Sequence, residues 1–173
     1  MMKFLRTLSA RLRSWFATLK TADAARLGDL GPQEMVSRFI YTEKNIKKSE
    51  KRPRPNAFEP PPEDRQLSTA HSTALSNESI WLLARKTLGP NRRKVFARAD
   101  FLVRDLIEHK LRAIRDDDPF ERHTIVIGWP DSADEDERKA KTKEICLALC
   151  HAPSANLEMP PEVIVWSPTE GMA

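Results

Sequence analysis

Glycine is scarce in this chain, with five in 173 residues, and neither the GxxxxGK[ST] nor the GxGxxG spacing occurs. That excludes a standard phosphate-cradling loop. Cysteine is limited to Cys146 and Cys150. They sit four apart on an expected helix, where a mutual disulfide needs a close approach of the two α-carbons, so reduced thiols in a cytoplasmic setting are expected. No uninterrupted apolar run comes near the roughly 18 residues that cross a bilayer, and no transmembrane helix is expected. Arg6, Arg11 and Arg13 interrupt any continuous apolar core of a secretory signal. Acidic residues are missing altogether before Asp23.

What fills that acid-free stretch is the most informative pattern in the chain. Met1, Phe4, Leu5, Leu8, Leu12, Trp15, Phe16 and Leu19 recur at helical spacing. At about 100° per residue they occupy one sector of roughly a third of the circumference. Lys3, Arg6, Arg13 and Lys20 point elsewhere, and Arg11 falls on the sector's edge. A basic amphipathic helix of this kind suits an anionic membrane surface or an apolar groove on a protein partner. In a eukaryote the same pattern describes a mitochondrial transit peptide. An ordinary domain helix with its apolar face in the core is the bland alternative.

The net charge of +4 is unevenly spread: residues 1–55 hold 13 Lys/Arg against 5 Asp/Glu, and the remainder is mildly acidic. The reading is therefore a basic arm joined to an acidic body. It comprises a helix over 1–27, a joint over 28–34 where Gly28, Gly31 and Pro32 break helical continuation, and a small domain over 35–173. The fold class expected is α/β or α+β, a small sheet with helices packed on it.

Within the body, a short strand follows Met35. A Pro/Lys/Arg-rich loop then covers 44–66, with Phe58 as its anchor. Ser76 or Asn77 caps a helix through ESIWLLARKTL, stopped by Gly89-Pro90. A second helix is predicted over ADFLVRDLIEHKL (99–111), because Phe101, Leu102, Leu106 and Ile107 recur at helical intervals. An extended piece and an acidic turn follow, then a buried strand in HTIVIGWP. Ser132 and Glu135 have capping-box spacing ahead of a helix that ends before Pro153, and PEVIVW supplies a last strand. Strand, helix and strand over 123–166 suggest a βαβ or α+β unit.

Three sets of residues carry chemistry. His123 follows Asp116, Asp117 and Asp118, so a carboxylate-stabilised general base is one reading. With Arg98 and Asp100 it would make a catalytic site for a phosphate-containing or nucleic-acid substrate. The bland reading is a solvated acidic turn beside a strand end. Lys44, Lys47, Lys48, Lys51, Arg52 and Arg54 would neutralise nucleic-acid phosphates, although only Tyr41 and Phe58 flank them. Cys146, Cys150 and His151 supply three soft ligands where a structural zinc site needs four, so no metal and no cofactor is expected.

RADF (98–101) and RHTIVIGWP (122–130), with RPNAFEPPP upstream, resemble a pattern in small bacterial proteins of no known activity. The resemblance covers about residues 36–152 and leaves the N-terminal helix as an addition. It implies a bacterial origin and supplies neither a reaction nor catalytic residues. The sequence thus points first to a non-enzymatic accessory or binding protein, cytoplasmic or peripheral at the membrane, docking through residues 1–20. A small enzyme and a nucleic-acid-binding protein are the alternatives.

Overall fold

A computed structural model describes residues 28–89, 92, 94–162 and 164–165. The helix expected over 1–27 lies outside the described residues, with Lys3, Arg6, Leu8, Leu12, Arg13, Trp15, Phe16, Leu19 and Lys20 on it. Ten strands occur among the described residues: β1 (Met35–Ile40), β2 (Ile46–Lys47), β3 (Arg52–Pro53), β4 (Leu67–His71), β5 (Lys94–Val95), β6 (Ala97–Leu102), β7 (Arg112–Arg115), β8 (His123–Ile127), β9 (Asn156–Glu158) and β10 (Ile164–Val165). Three helices accompany them: α1 (Asn77–Lys86), α2 (Val103–Ile107) and α3 (Glu135–Cys150).

Six strands form one sheet in the order β7-β8-β4-β1-β6-β9, and all its pairings are antiparallel. The fold is a mixed helix-and-strand arrangement of the α+β kind. No βαβ pair forms at 123–166: within the strand expected in PEVIVW, Ile164–Val165 form β10, which pairs with β5 in a separate two-stranded sheet, while in the six-stranded sheet β8 lies second from one edge and β9 at the other. The chain between them, including α3, crosses the width of the sheet. Each side chain alternates faces along a strand, which divides the core in two. Val36, Ile40, Leu67 and Val126 face α3, whose Cys146, Leu149 and Cys150 join that cluster. Phe39 and Ala70 face α1, meeting Ile80, Trp81, Leu83 and Ala84.

The predicted helix over 99–111 is corrected. Residues 97–102 form β6, and only Val103–Ile107 are helical. Strand β6 lies between β1 and β9 and is buried along nearly its whole length. It therefore lacks the in–out alternation that identifies a strand, and its apolar residues happen to fall at helical spacing. The capping box is also corrected. Asp134 caps α3, accepting from the Asp136 and Glu137 amides at 2.9 and 3.1 Å, while the Ser132 hydroxyl donates to Glu137 Oε2 at 2.6 Å.

The expected Ser76 cap and Phe58 anchor are met, while the loop expected over 44–66 holds the paired strands β2 and β3. Ser76 caps α1, its hydroxyl accepting from the Ser79 amide at 3.2 Å. Phe58 is fully buried and meets Phe101 edge to face, centroids 5.5 Å apart. Residues 28–30 lie along the outer edge of β7. The Leu30 amide donates to the Ala113 carbonyl at 2.9 Å, and Asp29 takes two bonds from Arg112.

Candidate functional site

Two polar clusters lie on the α1 side of the sheet, both built by strand register. His123, Ala70, Ser37 and Asp100 are successive cross-strand partners over β8, β4, β1 and β6. Three strand spacings of about 4.8 Å put His123 and Asp100 roughly 14 Å apart. Arg98, Asp100 and His123 therefore share a face without forming one catalytic site, contrary to the expectation.

The first cluster surrounds the Arg98–Asp100 pair. Arg98 Nε donates to Asp100 Oδ2 at 2.9 Å, and the Ser37 hydroxyl donates to Oδ1 at 2.5 Å. The guanidinium also lies 4.9 Å from the Trp81 ring centroid, a cation–π arrangement. Burial pushes the Asp100 carboxyl upward, and Ser37 and Arg98 pull it back. Arg98 and Asp100 line a hollow of about 390 Å³ together with Thr73, Asn77 and Glu158. The Ser72 hydroxyl, on the same lining, is buried without a hydrogen-bond partner among the described residues.

The second cluster is a relay. His123 Nδ1 lies 3.2 Å from Asp116 Oδ2, and Nε2 lies 2.8 Å from Ser68 Oγ. An ionised carboxylate only accepts, so Nδ1 carries the proton and Nε2 presents its lone pair to the Ser68 hydroxyl. The loop holds this geometry with main-chain bonds: the Asp116 and Asp117 amides both donate to the His123 carbonyl, at 3.0 and 3.2 Å. Phe120 packs its ring against the imidazole, centroids 5.0 Å apart. Burial lowers the His123 pKa, opposed by Asp116 and Asp118 and reinforced by the positive charge of Arg92. The reading of His123 beside its upstream carboxylates is met by Asp116. Ser68 was missed, and the only sequence signal for it is its place on the same strand face as Ala70.

Half of the cations in the basic segment are ion-paired. Lys47 and Arg52 pair with Glu50, and Lys48 pairs with Glu43. Lys51 and Arg54 are exposed. Arg38, by contrast, is turned inward. Its Nε and Nη1 donate to the Ala57 and Ser68 carbonyls at 3.0 and 2.8 Å, and desolvation lowers its pKa to about 10.

Cys146 and Cys150 are buried free thiols, pushed up to about 12 and about 11, mainly by desolvation. His151 is exposed and lies against Arg52, its Nδ1 2.8 Å from Nη1. No group of three His, Cys, Asp or Glu side chains suited to a metal occurs among the described residues. No helix among them is long and apolar enough to cross a membrane. No family model, curated protein or solved structure matches the chain.

Proposed function

We propose that this is an accessory or binding protein that docks through residues 1–20 to an anionic membrane surface. The observation that carries the reading is where uncompensated positive charge resides. Lys47, Lys48 and Arg52 pair with Glu43 and Glu50, so residues 43–54 set two acids against six Lys/Arg, and Lys139 and Lys141 pair with Glu135 and Glu137. Residues 1–20 contain five Lys/Arg and no acid at all. Each such cation contributes about 1 kcal/mol near an anionic bilayer. Leu8, Leu12, Trp15, Phe16 and Leu19 would enter the acyl boundary while Lys3, Arg6, Arg13 and Lys20 meet headgroups. The ion pairs around 43–52 weigh against nucleic-acid binding as the main role of Lys47, Lys48 and Arg52, which leaves Lys51 and Arg54 as the exposed cations of that alternative.

The test is co-sedimentation of the full chain with phosphatidylserine-containing and with neutral vesicles at two salt concentrations. Binding to the anionic vesicles only, weakened by salt and lost in Leu12→Asp/Trp15→Asp, is the expected result. Equal binding by the double variant, or no binding by the wild type, would assign residues 1–20 to a protein groove or to the core.

A further inference from the structure

We propose that Ser68, His123 and Asp116 form an acyl-transfer site, with Ser68 as nucleophile toward a carboxylic ester that carries an apolar acyl group. The activity goes beyond the docking role and does not depend on it.

The geometry has the two links such chemistry needs. A nucleophilic hydroxyl sits 2.8 Å from a ring nitrogen, and the opposite nitrogen sits 3.2 Å from a carboxylate that fixes the tautomer. Asp116 and His123 meet across one turn, and Ser68 comes from a separate part of the chain. Ser68 is 55 positions from His123 and reaches it only because β4 pairs with β8. The base is only 5% exposed, while Ser68 is half-buried. A hydroxyl at the surface backed by an imidazole shut off from water is the arrangement in which a proton can pass inward and return. Burial keeps the imidazole neutral and able to accept.

The substrate class follows from what surrounds Ser68 on its own face. Ile125 stands directly across the ladder from Ser68, and Ile127 lies one pleat further along; both are half-buried. An apolar acyl chain would cover them.

The step balances without a co-reactant other than water. Ser68 Oγ bonds to the ester carbonyl carbon as its proton passes to His123 Nε2. The carbon–oxygen bond to the leaving alcohol then breaks, and that alcohol takes the proton from Nε2. Water attacks the acyl-serine, giving its proton to Nε2, and the acid departs as Ser68 Oγ recovers the proton. Asp116 touches no reacting atom and acts as a positioning residue. Ser68 belongs to a regular strand and not to a sharp turn, so the rate rests on the general base, about 10²–10⁴-fold by itself. Covalent labelling is therefore a better readout than turnover.

The experiment treats the full-length protein with a fluorophosphonate probe and maps the adduct by peptide mass, with thermal unfolding run on each variant. A single adduct on Ser68 is expected, absent in Ser68→Ala and slowed about 100-fold or more in His123→Gln. Asp116→Asn should label slowly and with a displaced pH profile, an effect that simple packing would not produce. If His123→Gln unfolds, Asp116→Asn carries the comparison. No adduct at Ser68 in the wild type, or labelling at unchanged rate and pH profile in Asp116→Asn, would overturn the assignment.

Discussion

Arg98 and Asp100 hold each other at 2.9 Å on one face of a strand, and neither is more than 5% exposed. Desolvating two charges costs several kcal/mol each, so their attraction and the Ser37 bond chiefly offset that cost. Removing one partner leaves the other charged in a dry place. Asp100→Leu should therefore destabilise the fold by about 3–5 kcal/mol, whereas Arg98→Met/Asp100→Leu should recover much of the loss. Urea unfolding of both variants checks this. Equal losses would mean that packing, and not an orphaned charge, dominates at this position.

Where interactions are local in sequence, the fold was legible. Strand β1, helix α1 with its Ser76 cap and strand β8 each announce themselves through spacing and flanking residues. Strand β6 did not, because a strand covered on both sides loses the alternation that distinguishes it from a helix. The candidate site divides in the same way. Asp116 and His123 are seven positions apart and meet across one turn. Ser68 and Ser37 reach their partners over 55 and 63 positions, through register that only the assembled sheet defines.

The buried histidines make stability pH-dependent with a definite sign. Desolvation lowers the folded-state pKa of both His71 and His123 below the ordinary 6.5, against the pull of Glu34 and Asp116. The unfolded chain then takes up protons near 6.5 while the folded chain resists them until lower pH. Their contribution is present above 6.5 and is lost as the pH falls toward the depressed folded values. Asp100 acts in the opposite direction. Its folded pKa lies above 3.8, so its ionisation costs stability, and that cost is relieved as the pH drops through the raised value. Unfolding free energy measured from pH 7.5 down should decline first through the histidine range. His123→Gln should flatten that decline, and an unchanged slope would remove His123 from the account.

Gly128 ends β8 with φ +88°, and a Cβ built there would lie 2.8 Å from the Lys110 carbonyl oxygen and 3.5 Å from Leu111 Cα. Two segments of main chain are thus in contact through the missing side chain, where the turn after α2 passes the connection into α3. The next residue, Trp129, uses that bend to turn inward, where its indole N–H donates to the Val126 carbonyl at 3.0 Å. Gly28 supplies an internal control, since its φ of +81° is equally unsuited to a side chain while no atom of the other described residues lies within 4 Å of the added atom. Alanine at either position incurs the left-handed backbone penalty, about 1–2 kcal/mol. Only at 128 must backbone also move, so Gly128→Ala should lower the unfolding midpoint further than Gly28→Ala, each additional 1 kcal/mol appearing as about 2–4 °C. Equal shifts in the two variants would mean that the Lys110 turn yields freely and that the close approach contributes nothing to the fold.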